Sequence, residues 1–153
     1  TNAAQADLLH ALANILRDEL KQSIQFEKQT TEREVIIVSG HYEHHPLPDY
    51  PKSAAVHFYV DQLNEPGSGG GGSGTMGEML AQLENRIHQR VINEVQVPEG
   101  TIVVWSNEQP SQFMNLQKDP ARVDLLLENL SRQTSLQFRK AKRKVDMWTL
   151  RSK

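Results

Sequence analysis

The side chains best suited to chemistry lie in GHYEHHPLP, residues 40–48, which places His41, Glu43, His44 and His45 within five positions. If residues 41–45 continue a strand, His41, Glu43 and His45 share one face, while Tyr42 and His44 share the other. Two imidazoles and a carboxylate, joined by His57 from a neighbouring strand, could ligate zinc, with Glu43 as ligand or base. The spacing argues against it. HYEHH is not the HExxH pattern that sets two histidines one helical turn apart. The segment also runs into Pro46 and Pro48, which suits a strand end with solvated side chains. The expectation is a surface strand and loop. The alternative is a small metal-binding protein or metal-dependent hydrolase using His41, Glu43, His45 and His57.

A glycine run, GGGGSGT, stands where a phosphate-binding loop would, after one expected strand and before a capped helix. Gly69 and Gly74 have the Walker spacing, but Thr75 follows directly and the lysine position is missing. Without that lysine nothing reaches the β- and γ-phosphates, which excludes an ordinary NTPase. Residues 67–74 read instead as a flexible connector, with a root-mean-square span of about 15–17 Å. No G-x-S-x-G elbow marks a serine nucleophile. Asp18, Glu19, Glu32 and Glu34 fall on faces expected to be exposed.

Two further features suit binding more than catalysis. RKAKRK, residues 139–144, supplies Arg139, Lys140, Lys142, Arg143 and Lys144 to an expected hairpin tip. It lacks an aromatic on which a base could stack, which weakens a single-strand nucleic-acid role. Trp105 and Trp148 lie on comparable strands and could line a groove for a peptide or ligand.

Composition narrows the classes further. The 153 residues contain no cysteine, which removes disulfides, thiol nucleophiles and cysteine-ligated zinc. No apolar run approaches the roughly 18 residues of a membrane span. The chain opens TNAAQADLL, without methionine or a basic leader, and so reads as a mature product or a domain cut from something longer. A net charge of −2 is unevenly spread, since residues 120–153 carry nine basic and three acidic groups. That third is the one suited to an anionic partner.

The elements that must position these residues follow from periodicity. Leu8, Leu9, Leu12, Ile15, Leu16 and Leu20 recur at helical spacing. Residues 23–27, 34–38 and 56–60 read as strands. Thr75 with Glu78 has capping-box spacing for a second helix bearing Met76, Met79, Leu80, Leu83 and Ile87. RVINEVQV and TIVVW follow as strands about the turn PEG. Asp119 and Pro120 open a third helix with Val123, Leu126, Leu127 and Leu130 in register. Residues 136–138 and 145–150 then form two strands around the basic tip.

Helix, strand, turn, strand thus occurs three times, near 8–38, 75–105 and 120–150. This predicts one α+β domain over residues 1–153, with parts 1–66 and 75–153 joined by the connector. Its helices pack on one face of an antiparallel sheet. Units ending in LLLENLSRQTSLQF and RKVDMWTL resemble the bacterial domain-of-unknown-function family 3738. More distantly they are similar to the short N-terminal domain of secretins and TonB-dependent receptors. The family often has Gly at the position of Ser135 and Asp at that of Asn93. The resemblance implies an exported, periplasmic or envelope-associated accessory domain with no catalytic residues. The expected function is a non-catalytic interaction domain with no cofactor. Its partner would be a protein or envelope component, met through Trp105, Trp148 and the basic tip, and not a nucleic acid.

Overall fold

The computed structural model describes residues 2–21, 24–64 and 66–152. The chain forms two compact units, one of residues 1–33 with 142–153 and the other Glu34–Ala141.

The smaller unit holds helix α1 (Asn2–Leu20) and segments of two long strands, β1 (Ile24–His41) and β6 (Gln137–Ser152). β1 and β6 are neighbours in one sheet. Thr30 donates to Asp146 at 2.7 Å, Lys28 pairs with Asp146 at 2.8 Å, and Thr149 donates to the Glu27 carbonyl at 3.2 Å. One number rises as the other falls, so the ribbon is antiparallel. β6 corrects the expectation of a hairpin at 139–144, because RKAKRK lies within a continuous strand. β1 likewise fuses the strands expected at 23–27 and 34–38, with Ser23 outside the described residues. The reason is visible in composition: neither KQTTER nor RKAKRK contains the Gly, Pro, Asn or Asp that a tight turn uses.

The larger unit corrects the fold class. The single antiparallel sheet is replaced by two three-stranded sheets of mixed direction, ordered β4-β1-β6 and β2-β5-β3. The remaining strands are β2 (Ala55–Phe58), β3 (Gly71–Gly74), β4 (Val91–Gln96) and β5 (Val103–Asn107). β1 runs parallel to β4, from Ile36 opposite Val91 to His41 opposite Gln96. β2 runs parallel to β5, from Ala55 opposite Val104 to Phe58 opposite Asn107, and β3 pairs with β5 antiparallel. Both strands expected in the first repeat are thus parts of β1, which pairs with β4, while β4 and β5, consecutive in the second repeat, go to different sheets. Parallel neighbours need long crossovers, which the intervening chain supplies. The third helix is followed by β6 alone, so there is no third strand pair.

The helices of this unit form where local chemistry marks them. α2 (Met76–Ile87) starts in a complete capping box: Glu78 N–H donates to Thr75 Oγ1 at 3.2 Å, and Thr75 N–H donates to Glu78 Oε2 at 2.7 Å. α3 (Pro120–Thr134) is capped by Asp119, which accepts from Arg122 N–H at 3.3 Å. It ends at Ser135 in the left-handed region, φ 56°, a position that favours glycine. Met79, Leu83, Leu126 and Leu130 bury one stripe of these helices against Ile36, Val38, Val56, Phe58 and Val103. Val35 through Val38 are all fully buried, as a central strand requires.

Candidate functional site

The histidine-rich segment is held along the end of α3. After β1, Glu43 N–H donates to the Thr134 carbonyl at 3.1 Å and His45 N–H to the Gln133 carbonyl at 2.8 Å. His41, Glu43 and His45 face solvent, while Tyr42 and His44 turn inward. The metal alternative is not supported. Among the described residues no group of three His, Cys, Asp or Glu side chains is placed to hold a metal ion. His45 Nε2 is hydrogen-bonded to Ser135 Oγ at 2.7 Å and lies 3.9 Å from Glu43. His57, the expected fourth ligand, is 4% exposed, with both ring nitrogens already bonded.

Those bonds define a different constellation. His57 Nε2 lies 2.9 Å from Ser53 Oγ, and Nδ1 lies 2.8 Å from Ser106 Oγ. Ser53 Oγ also accepts from Ala55 N–H at 3.2 Å, and its carbonyl is bonded to His44 Nε2 at 3.0 Å. His44 Nδ1 is buried without a protein partner. The Tyr50 ring stands 5.8 Å from the His57 ring, tilted by 41°. Ser53 ends a turn closed by its own N–H on the Tyr50 carbonyl at 3.0 Å. The Tyr50–Ser53 turn and β5 thus meet at one imidazole carried by β2, with His44 bonded behind Ser53.

The backbone of His57 is fixed just as firmly. β2 is an edge strand, and α3 covers its open edge with side-chain amides. His57 N–H donates to Gln133 Oε1 at 2.7 Å, and Gln133 Nε2 donates to the His57 carbonyl at 2.9 Å. One turn away Asn129 Nδ2 donates to the Tyr59 and Val60 carbonyls at 3.0 and 2.9 Å. Neither amide was marked as important by the sequence patterns. The available signal is that Asn129 and Gln133 occupy core-side positions beside Leu126 and Leu130 on α3.

Burial, with His44 close by, lowers the His57 pKa below its ordinary value, and the Glu108 charge only partly opposes this. The folded protein therefore resists a proton that the unfolded chain accepts. The associated stability is complete above the unfolded value of about 6.5 and is lost as pH falls through it towards the lower folded value. Melting temperature is expected to fall between about pH 7 and pH 5, with a flatter profile in a His57→Gln variant. Equal slopes for both proteins would assign the loss to other groups. Glu78, held low by the Thr75 hydrogen bonds, and Asp146, held low by Lys28 and Thr30, lose their contributions only in the carboxylate range.

The expected binding residues take separate places. Trp105 is 7% exposed, in the core of the larger unit, and its ring lies against Gly72 of β3. The second half of the expected flexible connector is therefore a paired strand. Its first half is tied to buried Glu108, which accepts from Ser68 Oγ at 3.0 Å and, just ahead of the connector, from Asn64 N–H at 2.8 Å. Trp148 is half-buried in the smaller unit, lining a cleft of about 610 Å³ with Leu9, Ala13, Phe26, Arg17 and Arg151. In the basic segment Lys140 pairs with Asp124 at 2.6 Å, and Arg139, Lys142, Arg143 and Lys144 are exposed along the strand.

The chain matches no family model, no curated protein and no solved structure. The three helix–strand–strand units on which the family resemblance rests are not the arrangement the chain adopts. No helix among the described residues is long and apolar enough to cross a membrane.

Proposed function

We propose that the chain is an interaction domain that offers α1 to an apolar groove on a protein partner, with the bacterial envelope as the compartment to search. The observation that carries this reading is the exposure of Leu8 (69%), Leu12 (41%) and Ile15 (57%). These positions follow one another at spacings of four and three, so they form a single seam on the helix. Recognition of a helix in a groove uses anchors at this spacing. Leu9 and Ala13, on the adjacent stripe, face the cleft beside Phe26 and Trp148. The helix therefore has one apolar side lining that cleft and a second, exposed apolar side.

The test is a double substitution, Leu8→Glu with Ile15→Glu, used as bait beside the parent chain in envelope extract. Both positions are exposed, so helix content by circular dichroism should be unchanged. Captured partner is expected to fall at least about tenfold, since each buried anchor is worth roughly 1.5–3 kcal/mol. Equal capture by both baits would refute the seam as the docking element. Sedimentation of the parent as a dimer and of the variant as a monomer would instead identify the occupant as a second copy.

A further inference from the structure

We propose that Ser53 is a nucleophile activated by His57, forming an acyl-transfer site for small, activated esters in the larger unit. This goes beyond the docking role of α1 and rests on different residues. The diagnostic arrangement for an activated hydroxyl is a base within hydrogen-bond reach and a third group orienting that base. Ser53 Oγ, His57 and Ser106 Oγ supply it, at 2.9 and 2.8 Å. The third group is a hydroxyl where hydrolases commonly use a carboxylate, so the imidazole is oriented by a neutral partner.

Hydrogen-bond capacity gives the direction of proton flow. A serine hydroxyl has one donor and two acceptor sites. Ser53 Oγ already accepts from Ala55 N–H, which leaves its proton free to point at His57 Nε2. In that tautomer Nδ1–H donates to Ser106 Oγ, and Nε2 is the acceptor. The backbone of His57 is locked by Gln133, so the ring is carried on a rigid strand and not on a loop. His57 is almost fully buried, whereas Ser53 is partly exposed, so the base is shielded while the nucleophile is reachable. The neutral imidazole that burial favours is the form a general base needs at neutral pH.

The step balances within these groups. Ser53 Oγ bonds to the ester carbonyl carbon as its proton passes to His57 Nε2. The bond from that carbon to the alcohol oxygen then breaks, and the alcohol leaves with the proton from Nε2. Water attacks the acyl-serine by the same route, returning the acid and the free hydroxyl.

The probe is a fluorophosphonate, in which the P–F bond breaks and a P–O bond to serine forms, with readout by intact mass and peptide mapping. The expected result is one adduct, on Ser53, absent from Ser53→Ala. His57→Gln changes pH-dependent stability together with the base, so Ser106→Ala is the second variant, chosen because it removes only the orienting hydroxyl. Its labelling rate is expected to fall at least about tenfold, since a positioned general base contributes about 10²–10⁴-fold. Circular dichroism should stay native and the melting temperature should fall, since the buried Nδ1–H loses its partner. The parent rate should rise with pH to a plateau once His57 is neutral. No adduct, an adduct elsewhere, an unchanged rate in Ser106→Ala, or a rate still rising with hydroxide above neutrality would each overturn the proposal.

Discussion

Replacement of Gln133 by leucine is expected to destabilise the larger unit by about 3–5 kcal/mol. Leucine is close in size and apolar, so buried area alone would favour little change or a gain. The hydrogen bonds reverse that expectation. Gln133 is 1% exposed and serves both backbone groups of His57, accepting at 2.7 Å and donating at 2.9 Å. It also donates to the Asn129 carbonyl at 3.0 Å. Leucine would leave an N–H and a C=O of β2 buried with no acceptor or donor in reach, each costing roughly 1–3 kcal/mol. Chemical denaturation of the parent, Gln133→Leu and Gln133→Glu measures this. The glutamate keeps the acceptor for His57 N–H and removes the donor, so it should separate the two halves of the clamp. A leucine variant as stable as the parent would show that water replaces the amide at this edge.

The same clamp shows what the sequence reveals and what it hides. α2 and α3 are legible because their determinants are local: Thr75 with Glu78, Asp119 with Pro120, and apolar residues in helical register. The alternation of HYEHH is legible too, with His41, Glu43 and His45 outward and Tyr42 and His44 inward. Strand partners are not, because nothing in VIIV or VINEV states that these two segments run parallel. The full lengths of β1 and β6 are hidden for another reason. Where the ribbon is exposed on both faces it carries no apolar alternation, so a continuous strand reads as two short ones with a polar gap. Ser53 and His57 are four residues apart, but Ser106, the third member, is 49 residues beyond His57. Only the parallel pairing of β2 with β5, which sets His57 opposite Ser106, brings them together.

Alanine at Gly71 is expected to cost about 3 kcal/mol, although glycine-rich segments are ordinarily read as tolerant of substitution. A Cβ built there would stand 2.5 Å from the Trp105 carbonyl oxygen and 3.1 Å from Ser106 Cα. Both are backbone atoms of the paired strand β5, so neither can rotate away. At Gly72 the obstacle is the Trp105 indole itself, 2.8 Å from the built Cβ, and at Gly74 the same ring lies 3.5 Å away. Residues 72 and 74 share one face of β3, so the alternating glycines form a flat bed for Trp105. Gly72→Ala should therefore lose about 1–3 kcal/mol and shift the emission of Trp105, best read with Trp148 replaced by phenylalanine. Gly77, in the first turn of α2, meets only Thr75 Oγ1 at 3.8 Å. Alanine there should be neutral or stabilising by up to about 1 kcal/mol, because it removes the helix penalty of glycine. Opposite signs at Gly71 and Gly77 would establish that the glycine run is held by close packing on β5. Equal and negligible effects at Gly71, Gly72 and Gly77 would restore it to a connector. The result bears on the proposed site as well, since β3 pairs Gly71 with Ser106, the residue that orients His57. A β3 forced off β5 by a side chain at Gly71 should slow Ser53 labelling while leaving the α1 seam unaffected.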